Sequence, residues 1–215
     1  MVSTLSKNYN CYSAGPGLFP RTLSNGHRET WDESEARVRA LNAVIADVPE
    51  FKVITPTNTD LVAWPEEKQA RVCLRKDLYL AAHCDITFAD VTPFGGREPD
   101  AGTLVEAVTC ALSGGLLVLW ADPLTTFEEK YADADVHPDS FLDKHYNLML
   151  EQLFYWSWET QFGAAHPVFG SLKEATEETA RLIRTHDLKR IPLLDKVNDD
   201  TDAPDMVAMV KALLD

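Results

Sequence analysis

Two carboxylates flank a glycine–threonine step in residues 99–106, which read Pro-Asp-Ala-Gly-Thr-Leu-Val-Glu. A helix is predicted to begin at Thr103, which places Glu106 in its first turn. The helix dipole keeps a carboxylate there ionised, and an ionised carboxylate is a suitable nucleophile. Gly102 has no side chain and lets a ligand approach the backbone closely. The segment therefore indicates covalent catalysis by Glu106, with Asp100 beside it.

The same segment also has a structural interpretation that needs no substrate. Thr103 as the N-cap and Glu106 three residues later would form a capping box, in which each side chain accepts a hydrogen bond from the other residue's backbone. Asp100 has no part in such a box. The catalytic interpretation therefore stays open beside the structural one.

Four other short motifs stand in a definite order around this segment. They are Tyr-Ser-Ala-Gly-Pro-Gly-Leu-Phe at 12–19, Lys-Asp-Leu at 76–78, Ala-Asp-Val-Thr-Pro-Phe at 89–94 and Tyr-Asn-Leu-Met at 146–149. Each motif alone is weakly specific. Their order over residues 12–149 resembles that of the nucleoside 2-deoxyribosyltransferase family. This resemblance implies transfer of a 2-deoxyribosyl group between free purine or pyrimidine bases and 2′-deoxynucleosides.

The resemblance also implies a role for each matching catalytic residue. Glu106 would attack the anomeric carbon C1′ and hold the sugar as an ester, while Tyr12 would orient the Glu106 carboxylate through a hydrogen bond. Asp77 would protonate the leaving base, and Asp100 would lie near base and sugar. The substrate-binding residues implied are Asn147, Met149, Gly15, Phe19, Asp90 and Gly102.

Elementary chemistry agrees with these implied roles. Departure of the base leaves an oxocarbenium-like sugar, which one carboxylate can stabilise and then trap. Two successive inversions then retain the configuration at C1′. Three carboxyl groups crowded into one pocket titrate apart, which leaves one of them protonated as the acid. The reaction needs no cofactor and no metal.

In the resembling family, the Asn-x-Met segment comes from a neighbouring subunit. The resemblance therefore implies a homo-oligomer, commonly a hexamer, in which Asn147 and Met149 complete a neighbour's site.

Strands and helices alternate along the sequence and must position these residues. Strands are predicted at 9–14, 51–54, 85–89 and 116–120, and helices at 32–48, 65–83, 103–112, 147–154, 171–186 and 204–214, the first capped by Asp32. This alternation predicts an α/β fold, a doubly wound parallel sheet of flavodoxin- or Rossmann-like type flanked by helices. We expect a core of residues 1–154 and a C-terminal helical extension, 155–215, packed on it as one domain.

Ligands in such a sheet bind outside the carboxyl ends of the strands. Three segments are predicted to lie there: the Gly15-Pro16-Gly17 turn, the loop 90–102, and the residues after Ala121. The aromatic run 155–158, Tyr-Trp-Ser-Trp, could stack on a base, but core or subunit interface is the preferred interpretation.

Composition limits the partners of the protein. The chain of 215 residues carries 34 acidic and 20 basic residues, a formal charge of −14, which repels nucleic acid and anionic lipid. Its four cysteines lack metal-ligand spacing and are predicted to be buried free thiols in a reducing compartment. No apolar run is long enough to span a bilayer and no secretory segment is recognised, so the prediction is a cytoplasmic protein.

Two other functions remain open from the sequence. The first is a 2′-deoxynucleoside 5′-monophosphate N-glycosidase, a hydrolase, for which Arg21, His27, Arg28 and the loop residue Arg97 offer cations but no glycine- and serine-rich phosphate cradle exists. The second is a non-catalytic nucleoside-binding module, which would have no need of the nucleophile Glu106.

Overall fold

Four parallel strands alternate with helices in the computed structural model, which describes residues 7–16, 20–22, 26–55, 65–94, 96–132, 148–164 and 168–193. The strands are β1 (Tyr9–Ala14), β2 (Phe51–Ile54), β3 (Ile86–Asp90) and β4 (Leu116–Trp120). The helices are α1 (Trp31–Ala46), α2 (Glu66–His83), α3 (Ala101–Leu112), α4 (Phe127–Lys130), α5 (Leu148–Phe162) and α6 (Leu172–Ile183).

The strands form one sheet in the order β2-β1-β3-β4, with every pairing parallel. The chain leaves β1 toward β2 on one side and returns to β3 on the other. The carboxyl ends of β1 and β3 therefore border the switch point, where ligands bind in open α/β sheets. The predicted α/β fold with a doubly wound parallel sheet is confirmed.

Helices cover both faces of this sheet. Helices α2 and α3 pack together and against β1 and β3, whereas α1 packs on β2 and on α6 at the opposite face. Every residue of β3 and β4 is buried, as expected for strands covered on both sides.

Two predicted helix starts are wrong. Helix α1 is capped by Thr30 rather than Asp32, because Thr30 and Glu33 form a capping box there. Helix α3 is capped by Asp100, whose side chain accepts from the Thr103 N–H. The predicted capping box of Thr103 with Glu106 is therefore wrong, and Glu106 lies in the second turn of α3.

Helix α5 seals the outer edge of β4. The Ser157 hydroxyl accepts from the Leu117 N–H at 2.9 Å, and the Trp158 indole donates to the Leu117 carbonyl at 2.8 Å. Farther along, Phe169 pairs with Trp120 as a single bridge. Trp158 is only 1% exposed, so the preferred interpretation of residues 155–158 as core holds for this side chain.

The C-terminal part departs from the sequence expectation in the extent of its helices. Helix α5 is longer than the predicted 147–154, and residue 154, where we divided core from extension, lies inside it. The division itself stays a prediction. The predicted helix 204–214 lies outside the described residues. None of the helices described here combines the length and apolar character needed to cross a membrane.

Candidate active site

Tyr12, Asp77, Asp100 and Glu106 lie close enough together to affect one another's ionisation. They come from three elements: Tyr12 from β1, Asp77 from α2, and Asp100 and Glu106 from the cap and second turn of α3. The structure thus brings the four predicted catalytic residues together beside the carboxyl half of β1.

Glu106 is largely buried and carries an unusual pKa. Burial raises the pKa of its carboxyl from 4.5 to about 8, with further increases from the Asp77 and Asp100 charges. The Tyr12 hydroxyl and Lys76 lower it in part. Desolvation and two neighbouring acids therefore oppose the ionisation that the helix dipole was expected to favour at Glu106.

The Tyr12 hydroxyl faces Glu106 within this cluster. Its side chain is fully buried, and its hydroxyl lies close enough to the Glu106 carboxyl to lower the pKa of that group as a hydrogen-bond donor. Burial and the nearby charges of Glu106 and Asp77 raise the pKa of the Tyr12 phenol, so it stays protonated. Tyr12 is therefore a donor placed beside the Glu106 carboxyl.

Asp77 is held on one side by its own helix. The Cys73 thiol donates to Asp77 Oδ2 at 3.0 Å, and Lys76 Nζ lies 3.8 Å from Asp77 Oδ1. Cys73 is only partly buried, unlike Cys11, Cys84 and Cys110. The prediction of four buried thiols is therefore wrong for Cys73. Its spacing of four residues from Asp77 on a predicted helix was the signal that could have revealed the contact.

Asp100 has a structural task that the sequence analysis did not assign to it. Its Oδ2 accepts from the Thr103 backbone N–H at 2.9 Å and from the Thr103 hydroxyl at 3.2 Å. A side chain at Gly102 would place its Cβ 2.9 Å from the same oxygen. Gly102 is therefore needed for the Asp100 cap, and its predicted contact with substrate stays a prediction.

Asp90 closes β3 with both carboxylate oxygens in use. The Arg21 guanidinium bonds its Oδ2, and the Thr92 N–H donates to its Oδ1 at 3.1 Å. Glu29 accepts in turn from the Arg21 backbone N–H at 3.0 Å and from Arg37 Nε at 3.0 Å. This network attaches the loop after β1 to the end of β3. Substrate binding by Asp90 stays a prediction.

The remaining predicted site residues are only partly covered by the structure. Gly15 directly follows β1, at the switch point. Met149 lies in the first turn of α5 and is 77% exposed. Phe19 and Asn147 lie outside the described residues. Within the described ranges, no three histidine, cysteine or acidic side chains group in a way that could hold a metal ion.

Comparison with known proteins gives a structural likeness only. No family model matches the chain, and no curated protein matches it. Among solved structures, the 2-deoxyribosyltransferase from Leishmania mexicana has a TM-score of 0.56 and 22% identity, over 80% of this chain and 97% of that one.

Two further solved structures match less closely. A CMP N-glycosidase from Clostridium botulinum has a TM-score of 0.37 and 11% identity, over 79% of this chain and 97% of that one. A 2-deoxyribosyltransferase from Bacillus psychrosaccharolyticus has a TM-score of 0.38 and 17% identity, over 64% of this chain and 99% of that one. The resemblance predicted from the motifs is confirmed at the level of the fold, and this chain has the fold of the Leishmania mexicana 2-deoxyribosyltransferase.

Proposed function

We propose that this protein transfers 2-deoxyribosyl groups between nucleobases through an ester on Glu106. The observation that carries the proposal is the meeting of a largely buried carboxyl, Glu106, with the Tyr12 hydroxyl and with Asp77 beside the switch point of the sheet. A nucleophile, a donor to orient it and a second acid are the groups that this chemistry requires.

The raised pKa of Glu106 supplies a reason for pairing it with a second acid. Before substrate binds at neutral pH, a proton resides on or near Glu106, because the pKa of that carboxyl is about 8. Glu106 must lose that proton to act as a nucleophile, and the leaving base must gain one. We infer that substrate binding shifts this proton to Asp77 and from there to the base.

Each half of the reaction then balances. In the first half the C1′–N bond breaks with its electron pair going to the base, Asp77 protonates a base nitrogen, and Glu106 forms a bond to C1′. In the second half an acceptor base displaces Glu106 from C1′ and gives its proton to Asp77. Each half inverts C1′, so the product retains the original configuration.

The charges near β1 favour an uncharged nucleoside over a nucleoside monophosphate. Arg21 is engaged by Asp90, and His27 lies 3.3 Å from Glu33. Arg97 lies over the Tyr131 ring, 5.2 Å from its centroid. A 5′-phosphate would have to compete for these cations, so we prefer transfer between nucleosides to the monophosphate N-glycosidase and to a non-catalytic binding module.

We further propose a homo-oligomer in the cytoplasm that serves nucleoside salvage. Met149 lies in the first turn of α5 and is 77% exposed, so it is available for contact with another subunit. The four cysteines are free, as suits a reducing compartment.

Incubation with deoxyinosine and free adenine tests the activity. Chromatography should show new deoxyadenosine together with hypoxanthine. Hypoxanthine without a new nucleoside would replace the transferase with a hydrolase, and no turnover of any deoxynucleoside or its monophosphate would favour the binding module.

Glu106→Ala tests the nucleophile in the same assay. Exchange should fall at least about a thousandfold, because a covalent route is lost. The matched control is Glu35→Gln, which removes an exposed carboxylate on α1 that pairs with Arg39. Intact-protein mass spectrometry of the quenched wild type should show a deoxyribosyl adduct on the Glu106 peptide, and wild-type exchange by Glu106→Ala would refute the assignment.

A further inference from the structure

Cys73 lies one helical turn before Asp77 on the face of α2 that meets the site. Its Sγ is 3.0 Å from Asp77 Oδ2, within the range for a thiol donating to a carboxylate. Cys73 also contributes to the raised pKa of the Tyr12 phenol, which places the thiol within the same cluster.

The hydrogen bonds of Asp77 are unequally distributed between its two oxygens. Oδ2 is taken by the Cys73 thiol. Oδ1 is buried and accepts no hydrogen bond from the described residues, although Lys76 Nζ lies 3.8 Å away. The groups that face Asp77 from other elements are Tyr12 of β1 and Glu106 of α3. Oδ1 is thus the oxygen left for a ligand.

The thiol can only act as a donor at working pH. Burial, the hydrogen bond to Asp77 and the Asp77 charge raise the pKa of Cys73 to about 11. An S–H that keeps its hydrogen holds Oδ2 in the accepting role whether or not Asp77 is ionised, because a carboxylic acid retains one carbonyl oxygen.

We propose that Cys73 is a positioning residue: its thiol fixes Asp77 Oδ2 as an acceptor, so that Oδ1 carries the proton given to the leaving base. This inference rests on the proposed function and adds a residue to it. In the step concerned, the Oδ1–H bond breaks, an N–H bond forms on the base, and the C1′–N electron pair goes to the base. The thiol hydrogen is not transferred.

A deoxyribosyl donor whose base leaves without protonation distinguishes this positioning role from a general loss of structure. The base of 7-methyl-2′-deoxyguanosine is already cationic and leaves without protonation, whereas that of deoxyinosine requires a proton. Cys73→Ala should lower kcat for deoxyinosine roughly tenfold, the equivalent of one hydrogen bond, and change kcat for the methylated donor less than about twofold. Asp77→Asn should show the same contrast more strongly.

Cys73→Ser restores a hydrogen-bond donor at the same place and should recover most of the rate with deoxyinosine. Cys84→Ala is the matched control, because it removes a buried thiol at the C-cap of α2, beyond Asp77, and should slow neither deoxyribosyl donor selectively. Equal losses with both donors in Cys73→Ala, or no loss with either, would overturn the inference while leaving the transferase proposal intact.

A spectroscopic measurement keeps the test independent of that variant's stability. The Raman S–H band of Cys73, assigned by subtracting the Cys73→Ser spectrum, should lie below the frequency of a free thiol and rise in Asp77→Ala. An unshifted band in the wild type would refute the hydrogen bond. A wild type that exchanges neither donor would refute the proposed function itself.

Discussion

Glu106 shows how one side chain can be costly to the folded protein and useful to the reaction. Its carboxyl is withdrawn from water and faces Asp77 and Asp100, and both effects raise its pKa to about 8. The helix dipole contributes only about 0.3–1 kcal/mol in the opposite direction. The ionised form of Glu106 therefore has a high free energy. A cationic sugar in the transition state would stabilise that form.

This cost predicts a pH-dependent stability difference. The folded protein retains a proton on Glu106 that the unfolded chain releases, so stability falls as pH rises from 4.5 to about 8. Glu106→Gln cannot ionise, and its free energy of unfolding should exceed that of the wild type by roughly 2–4 kcal/mol above pH 8.

Urea denaturation of both proteins at several pH values measures this difference. It should shrink as the pH approaches 5. The exposed variant Glu35→Gln should show no such trend. A difference between Glu106→Gln and the wild type that is the same at all pH values would mean that Glu106 titrates normally.

The motif could identify the acids of this site, but not their environment. Pattern and resemblance pointed to Tyr12, Asp77, Asp100 and Glu106, because residue types and order are visible in a sequence. The direction of the Glu106 pKa depends on how deeply α2 and α3 bury it, and this depth is a property of packing. Cys73 was missed because a cysteine in an apolar run is usually only a small hydrophobe.

At the level of elements, the α3 cap determines where the reactive helix begins. Asp100 accepts two hydrogen bonds from Thr103, and Gly102 leaves room for its carboxylate. Asp100→Ala should cost about 1 kcal/mol of stability, whereas Asp100→Asn should cost less than about 0.5 kcal/mol, since asparagine caps equally well.

Thermal denaturation of the two Asp100 variants compares these values. Similar losses in both would contradict the capping role. The exchange assay adds a second test. If Asp100 acts only as a cap, Asp100→Asn should keep full activity, and any change there reports an effect of the Asp100 charge on Glu106 or on the substrate.

At Leu117, the outer edge of β4 bonds the Ser157 hydroxyl and the Trp158 indole in place of a neighbouring strand. Ser157→Ala would leave the buried Leu117 N–H unpaired, which should cost about 1–3 kcal/mol. Thr185→Ala, which removes an exposed hydroxyl bonded to the Leu182 carbonyl, should cost much less. Urea denaturation measures both. Equal costs would mean that water replaces Ser157 at the edge.

Strands could be predicted more accurately than helix starts. Strand β4 is a continuous apolar run, and β3 is apolar apart from Thr87 and Asp90. Both are buried on both faces, and their predicted limits lie within one residue of those observed. Helix starts were displaced because Thr30 and Asp32, or Asp100 and Thr103, compete as caps. Helix α5 carries apolar side chains on every side, so its sequence shows no clear helical periodicity.

At the level of the molecule, the sheet order brings distant motifs to one place. Residues 12, 77 and 106 are far apart in sequence, and only the order β2-β1-β3-β4 sets α2 and α3 against β1. The alternation of elements predicts such a sheet without fixing its order. The resemblance supplied the missing strand order, because the motifs of a family are associated with one tertiary arrangement.

The segment 188–193 contacts both the predicted core, residues 1–154, and other residues of the predicted extension, 155–215. Gly114, with φ of 87°, lets the backbone of Ile191 approach so closely that a Cβ would lie 2.7 Å from it. Gln161 of α5 accepts from the Lys189 N–H at 2.9 Å. Arg190 donates to the His83 and Cys84 carbonyls, at 3.2 and 3.1 Å, and also to Ala82.

Arg190 therefore caps the carboxyl end of α2, the helix that also carries Asp77. Arg190→Ala should lower the free energy of unfolding by about 1–2 kcal/mol, because three terminal carbonyls lose a charged donor. The control is Arg181→Ala, whose guanidinium is exposed and pairs with Glu178 on the same helix, and it should cost much less stability. Urea denaturation of the three proteins decides the matter. Equal losses would show that the contact of Arg190 with α2 adds no more than a surface ion pair, and that the segment 188–193 is held by packing at Gly114 instead.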